Sequence, residues 1–300
     1  MTPEPFVLVI TVNHNSLGNT LQTIESLEGM TYPRFEILLV DNGSTDSSVD
    51  AVSRTHPGVR IIASPTNLGF AGGFNLGLQY GIERHAELML IINNDVAVAP
   101  EMLTNLVSIV ETGTGAAGPV IYYYDRPDVI WSSGFRCHPM TLEMTGGQRN
   151  GVAAGWEGAP FQVDYLLGCA MLLQRSALTV TGLFDPRFSL YYEDLDLCLR
   201  LKAHGFRLLT VPMAKMWHKV AGSTGLYSPL RTYHMARSSV LFFRKHAKGW
   251  QRPAIFFFRA GSAVRSSLIL LGRRDFHCLH AYCRGLKHGW QGLLDDTPYR

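Results

Sequence analysis

Apolar and polar positions alternate along the first hundred residues in a repeating way. Residues 6–12 form an apolar run closed by Asn13, and residues 17–27 follow with apolar positions at helical spacing. Pro33 interrupts the chain before a second strand over 36–40. Asp41-Asn42-Gly43-Ser44 then makes a sharp turn, and Ser44 or Thr45 is suited to cap a helix through Arg54. Residues 59–63 read as a short third strand. The glycine-rich stretch 67–73 reads as a turn into a helix from Phe74 to about His85, and residues 88–92 are a fourth strand. That last run is apolar throughout, as a strand covered on both faces must be. This β-α-β-α succession predicts an α/β fold, a single Rossmann-like, mostly parallel sheet flanked by helices.

After Pro100 the pattern gives a helix to about residue 110 and a strand near 116–120. From 122 to 158 it breaks into short aromatic and glycine-punctuated pieces, expected as hairpins and loops. Strands return at 163–167 and 170–173. A helix runs from Glu193 or Asp194 to His204 and closes at Gly205, and a last strand, 207–211, is ended by Pro212. The expected organisation is one unit over 1–228, divided near residue 120, and an amphipathic helical appendage over 229–300. In that appendage Phe242, Phe243, Ile255, Phe256, Phe257, Phe258 and 268–271 sit among arginines. Two readings stand: the aromatic face lies in the core, or the region lies on an anionic membrane surface, where apolar burial and phosphate attraction act together.

Composition narrows this picture. With 46% hydrophobic and 17% charged residues the chain is globular rather than disordered. Five cysteines without a CxxC pair point to reduced thiols and a cytoplasmic setting. No basic, apolar leader opens the chain, and no uninterrupted run of 18 apolar residues is present, so a membrane span is not expected. The net charge of +3 hides a division: 231–300 carries +10 and 1–230 carries −7. Nucleic acid is not the expected partner of the basic end, because no recognition module accompanies the charge.

Candidate chemistry gathers where strands end, the edge at which open parallel sheets bind ligands. Asp41 closes strand two with a carboxylate able to accept from a base N–H or a ribose hydroxyl, and an Asx turn is the simpler alternative. Thr11 and Asn13 close strand one. Asn67, Gly69 and Gly73 lie at the next strand-to-helix junction, where glycine lets backbone approach a ligand, and Asn75 holds the loop or touches the ligand. The glycine spacing is not the dinucleotide fingerprint, and no P-loop lysine follows. Asn93-Asn94-Asp95 closes strand four, placing one carboxylate where Mg²⁺ or Mn²⁺ would be shared with phosphate oxygens. Glu193, Asp194 and Asp196 open a helix, either as a capping cluster or with one acid facing the cleft as a general base. His218, beyond the last strand, completes a metal shell, holds a phosphate, or is structural.

Together these segments resemble glycosyltransferase family 2. The order is DNGSTD after a strand, then NLGFAGG-F-N-x-G, IINNDV, GLFDPRFSLYYEDLDLCLRLKAHGF and H-K-V-A-G-S, over roughly residues 6–245. The branch most similar holds bacterial rhamnosyltransferases and related polysaccharide transferases. The resemblance implies a GT-A fold, with a donor half over about 1–120 and an acceptor half over 121–228, and inversion by single displacement. It implies Asp41 at the nucleoside, Asp95 as the metal-binding acid, His218 as metal or diphosphate ligand, and Asp194 as catalytic base. Gly73, Asn75, Asn93 and Asn94 would line the donor, and Gly168, Cys169, Ala170, Glu193 and Trp217 the sugar or acceptor. The metal motif carries one carboxylate instead of two, so phosphates and His218 must supply the rest of the shell. Phe74 stands where relatives often carry a polar residue. The implied donor is a nucleotide-diphosphate sugar, dTDP-L-rhamnose ahead of UDP-hexose or UDP-galactofuranose. The implied acceptor is a glycan, a lipid-linked glycan or a small molecule, and the implied place is the cytoplasm or the inner face of its membrane. Two readings remain beside it. A sugar nucleotidyltransferase would need a basic glycine-rich first loop, which Thr11-Val12-Asn13-His14-Asn15 lacks. A silent carbohydrate-binding or scaffold protein would not need all of Asp41, Asp95 and Asp194. Subunit number has no signature in the sequence.

Overall fold

The structure, a computed structural model, describes residues 4–147, 158–220 and 228–292. The first apolar runs become β1 (Val7–Asn13), β2 (Phe35–Asn42), β3 (Arg60–Ser64) and β4 (Leu88–Asn93), parallel neighbours in the order β3-β2-β1-β4. Their crossovers are α1 (Leu17–Glu28), α2 (Ser48–Thr55) and α3 (Gly69–Glu83). Alternation along the strands feeds two cores. Leu8 and Ile10 pack with Phe74 and Leu78 of α3, whereas Val7 and Val9 pack with Ile24 and Leu27 of α1 on the other face.

The chain continues through β5 (Val96–Val98), α4 (Met102–Ser108), β6 (Thr114–Tyr123) and β7 (Ile130–Ser132) to a hairpin of β8 (Arg136–Cys137) and β9 (Met144–Thr145). Then come β10 (Phe161–Val163), β11 (Ala170–Gln174), α5 (Arg175–Thr181), α6 (Glu193–Ala203) and β12 (Arg207–His218). The sheet order is β10-β12-β6-β11-β4-β1-β2-β3. β11 is antiparallel to both β4 and β6, and β12 is parallel to β6. It follows that β1, β2, β3, β4, β6 and β12 all run the same way and end at one rim, where β11 begins.

Four boundaries differ from those expected. The second helix begins at Ser48 after Ser47, not at a Ser44 or Thr45 cap, because the Ser44 hydroxyl is taken by Asn13 and Asn15. The helix after β3 begins at Gly69, not Phe74, because its glycines serve packing. A Cβ on Gly73, Gly77 or Gly81 would lie 2.9 Å from Val12 Cγ1, 2.4 Å from Ile10 Cγ2 or 2.7 Å from Met89 Sδ. The bare ridge seats α3 directly on the sheet. The last strand does not stop at Pro212: a register shift between Val211 and Lys215 takes the proline up in a bulge, and pairing resumes to His218. The strand expected over 163–167 lies over Phe161–Val163.

Beyond residue 228 come α7 (Pro229–His246), α8 (Arg252–Gly272) and α9 (Phe276–Gln291). α7 is built into the catalytic body: Phe242 and Phe243 join the core of Phe188 and Leu195, and Ser238 Oγ donates to the Leu190 carbonyl at 2.9 Å. In α8 only Ile255 is buried, and Phe256, Phe257, Phe258, Leu268, Ile269 and Leu271 are exposed. The expectation of an aromatic face in the core therefore holds for α7 and fails for most of α8. Residues 249–272 are also long and apolar enough, by length and composition alone, to cross a membrane. Interspersed arginines had hidden this from a search for uninterrupted apolar runs.

Candidate active site at the strand rim

Asp41 and Asn13 are the final paired positions of β2 and β1. Asp41 is buried, with Oδ1 accepting from Asn13 Nδ2 and Oδ2 from the Ser44 N–H, both at 3.0 Å. The Asx turn and the rim placement are thus both present. Asn13 is a hub rather than a donor contact. Its amide nitrogen also donates to Ser44 Oγ, and its oxygen accepts from Thr20 Oγ1 at 2.8 Å and from Asn94 Nδ2 at 3.3 Å. Thr11 lies two residues below the rim, fully enclosed, with a hydroxyl that has no hydrogen-bond partner.

The glycine-rich stretch is likewise turned inward. Asn67 Oδ1 accepts from the Gly69 N–H and from Asn42 Nδ2. At Gly69, φ is +71° and a Cβ would meet the Ser189 carbonyl oxygen at 2.6 Å, so the loop before α6 presses on the start of α3. Asn75 donates to the Phe184 carbonyl at 2.8 Å and accepts from its N–H at 3.0 Å. Asn67 and Asn75 therefore brace the loop through these hydrogen bonds, and Gly69 and Gly73 allow the close approaches at the start of α3. Phe74 is buried beside Phe70 and Phe184, which accounts for its apolar character.

At the end of β4, Asn93 N–H donates to the Cys169 carbonyl at 3.0 Å, fixing the entry to β11 beside the Asn-Asn-Asp turn. Asn94 Nδ2 donates to Thr20 Oγ1 at 2.8 Å, and Asn93 Nδ2 lies 3.3 Å from His218 Nε2. Pairing of Val96 with His218 brings the last residue of β12 to Asp95. Asp95 Oδ1 is 3.1 Å from His218 Nε2. The approach lacks hydrogen-bond geometry, leaving Asp95 Oδ1 buried without a hydrogen-bond partner; Nδ1, on the other side of the His218 ring, is buried without one as well. A buried carboxylate oxygen and an imidazole nitrogen converging in this way fit two positions of a divalent-cation shell. No group of three His, Cys, Asp or Glu suited to a metal exists among the described residues, so the remaining ligands would be phosphate oxygens and water. Trp131 stacks on His218 with ring centroids 5.0 Å apart, a contact that residue spacing did not reveal. Trp217 donates to the Pro127 carbonyl and packs on Tyr122. Residues 221–223 of the H-K-V-A-G-S segment lie outside the described residues.

Opposite this pair stands the start of α6. Tyr191 and Tyr192 both have positive φ, +66° and +71°, a strained approach that delivers three acids into one helical turn. Asp196 is wholly buried and bound by Arg200, Lys245 and His246. Burial alone would raise its pKa; the hydrogen bond to His246 and the charges of Arg200 and Lys245 outweigh that and hold it below the usual carboxylate value. Glu193 is buried with Oε2 unpartnered, and burial, then the charge of Asp194, push its pKa well up. Asp194 alone is partly exposed. Its Oδ2 accepts from the Gly168 N–H at 2.9 Å and Oδ1 from the Leu195 N–H at 2.8 Å, and burial still leaves its pKa raised.

Gly168 and Cys169 join the two sides. A Cβ on Gly168 would lie 3.0 Å from Phe70 Cζ and 3.2 Å from Asp194 Cβ. The Cys169 thiol is pushed up by burial and then by the charges of both Asp194 and Asp95. Ala170, paired with Ile92, is core rather than lining. The arrangement sets the buried Asp95–His218 pair against the partly exposed carboxylate of Asp194, with the Gly168–Cys169 backbone between them. A separate groove lined by Pro5, His85, Glu87 and Arg175 lies at the opposite rim.

The sequence pattern of glycosyl transferase family 2 matches residues 8–177. The N-acetylglucosaminyl-diphospho-decaprenol L-rhamnosyltransferase of Mycobacterium tuberculosis is 28% identical, covering 87% of this chain and 92% of that protein. The dTDP-rhamnosyl transferase RfbF of Shigella flexneri is 23% identical, covering 82% of each. Among solved structures, the mannosyltransferase PcManGT of Pyrobaculum calidifontis, in complex with GDP-Man and Mn²⁺, aligns with a TM-score of 0.59 at 19% identity. It covers 99% of this chain and 78% of the other. GalNAc-T7 with UDP, GalNAc and Mn²⁺ aligns with a TM-score of 0.67 at 16% identity, covering 97% and 57%. At these identities the structural likeness establishes the GT-A architecture alone.

Proposed function

This chain belongs to glycosyl transferase family 2, an enzyme that transfers sugar from a nucleotide sugar, and from that premise we propose that it is an inverting, metal-dependent rhamnosyltransferase. The donor in this reading is dTDP-L-rhamnose and the acceptor a hydroxyl of a glycan, most simply one carried on a lipid diphosphate. The observation that carries the chemistry is the placement of one partly exposed, pKa-raised carboxylate, Asp194, across the rim from Asp95 and His218.

Asp41 receives the nucleoside, held in register by Asn13 and Ser44. Asp95 and His218 would hold Mg²⁺ or Mn²⁺, which would supply positive charge to offset that of a departing nucleotide diphosphate. Asp194 accepts the proton of the acceptor hydroxyl as that oxygen attacks the anomeric carbon from the face opposite the leaving group. The N–H groups of Gly168 and Leu195 orient the carboxylate without neutralising it. Burial raises its proton affinity, which suits a base that must hold the proton through the displacement. No covalent sugar intermediate is needed. Support for rhamnose comes from the two relatives from Mycobacterium tuberculosis and Shigella flexneri, both of them rhamnosyltransferases.

A panel of dTDP-rhamnose, UDP-glucose and UDP-galactofuranose, followed by nucleotide diphosphate release with EDTA or Mn²⁺, tests this reading. The expected result is release from dTDP-rhamnose that EDTA abolishes and Mn²⁺ restores. Preference for a UDP donor would overturn the sugar assignment, and full activity in EDTA the metal assignment.

A further inference from the structure

We propose that α8 is a monotopic membrane-docking helix, lying in the plane of an anionic phospholipid surface with its outer stripe in the acyl boundary. The proposal rests on α8 and its neighbours and does not depend on which sugar is transferred.

The helix is apolar on the side away from the protein. Pro253, Phe257, Ala260, Val264, Leu268 and Leu271 recur at three- and four-residue intervals and share one face. Phe257 is 73% exposed, Leu268 62% and Val264 60%, with Phe256 beside them at 66%. A soluble surface does not leave such a row uncovered without a partner. Trp250 and Phe276, at the two ends of α8, are exposed as well. The amphipathic indole of Trp250 suits the headgroup level of a bilayer, and Phe276 extends the apolar surface.

Charge identifies the partner. No Asp or Glu occurs between Asp196 and Asp275, so nothing on α8 repels an anionic surface. Arg252, Arg265 and Arg274 are exposed at the flank and ends of the helix, clear of the apolar stripe. Apolar burial and phosphate attraction then act on the same helix at once.

Packing decides between lying on a bilayer and crossing it. Over 21 residues α8 is about 31 Å long, sufficient to span. Its inner side, however, is occupied. Ile255 enters the protein core, Arg259 Nη2 donates to Ser239 Oγ at 2.6 Å and Arg259 stacks on Phe243, while Gln251 anchors the start of the helix to the Pro139 carbonyl. A spanning helix would have to abandon these contacts and carry Arg259 into hydrocarbon, whereas an in-plane helix keeps them all. α7 links this surface to the site, since the helix that receives Arg259 also binds Asp196 through Lys245 and His246.

The test is flotation of the full chain with vesicles of phosphatidylcholine alone or with about 30% phosphatidylglycerol. Three proteins are compared: wild type, the pair Phe257→Asp with Leu268→Asp, and the triple Arg252→Glu, Arg265→Glu, Arg274→Glu. Thermal melts verify that the variants fold. The wild type is expected to float with anionic vesicles at least about tenfold more than with neutral ones and to be released by alkaline carbonate. The apolar pair should lose about tenfold or more of the binding, and the triple should lose the preference for anionic lipid. Absence of vesicle binding by wild type, or retained binding by a folded Asp pair, overturns the proposal. Resistance to carbonate would mean a span, and a dimer that the Asp pair dissolves without any vesicle binding would mean a second copy; either result also overturns it.

Discussion

Glu193, Asp194 and Asp196 occupy one helical turn and have three different fates, each set by what surrounds the carboxyl. Asp196 is ionised within a cage of cations, Asp194 faces the cleft on two backbone N–H groups, and Glu193 is enclosed with an unpartnered oxygen. Because the folded pKa of Glu193 is raised, the native state keeps a proton that the unfolded chain releases above about pH 4.3. Stability from this group is therefore full below the unfolded pKa and is lost as pH rises through the folded one. Glu193→Gln should fold normally and flatten the decline of melting temperature with rising pH, measured by thermal scans across that range. An unchanged slope would mean that Glu193 is ionised in the native state. Which of the three acids faces the cleft was not legible from their spacing, since burial is decided by α7 and by Gly168, distant in the chain. The same holds for Asn13, Asn67 and Asn75. Sequence placed them at the rim, but their amides are claimed by residues as far away as Phe184.

Elements were more readable than side-chain directions, because hydrophobic periodicity reports burial of a face directly. β1 to β4 and their crossover helices lie where the pattern put them, apart from the starts of α2 and α3. At α3 glycine was read as a turn signal, and only the close seat of the helix on Ile10 and Met89 explains it. Gly77→Ala should cost about 1–3 kcal/mol by overpacking, since Ile10 Cγ2 would lie 2.4 Å from the new carbon. Denaturant unfolding measures this, and a loss below a few tenths would mean that α3 can lift off the sheet. The bond between α7 and α6 was invisible in sequence, as it joins partners some fifty residues apart. Asp196→Ala would leave Lys245, His246 and Arg200 without their shared anion and should destabilise by about 3–5 kcal/mol. It should also slow transfer by loosening the turn that carries Asp194. An unchanged midpoint in denaturant would show the cage to be dispensable.

At the scale of the molecule, strand direction does the assembling. Six strands of common direction end at one rim, and β11, antiparallel to its neighbours β4 and β6, starts there, so segments from residue 41 to residue 218 meet. That convergence was predictable from the β-α-β succession for the first four strands. It was not predictable for β12, whose bulge at Pro212 is what extends pairing far enough to set His218 beside Asp95. The catalytic body and α8 then face different media, consistent with the division of charge along the sequence. The central claim is that Asp95 and Asp194 serve one reaction from opposite sides of one cleft, and calorimetric titration of dTDP-rhamnose, with and without Mn²⁺, measures it most directly when paired with turnover. Asp194→Asn is predicted to bind donor within about twofold of wild type and to lose about 10²- to 10⁴-fold in transfer, while Asp95→Asn loses the Mn²⁺-dependent part of donor binding. Near-wild-type transfer by Asp194→Asn, or donor binding by Asp95→Asn with its Mn²⁺ dependence intact, would contradict the account.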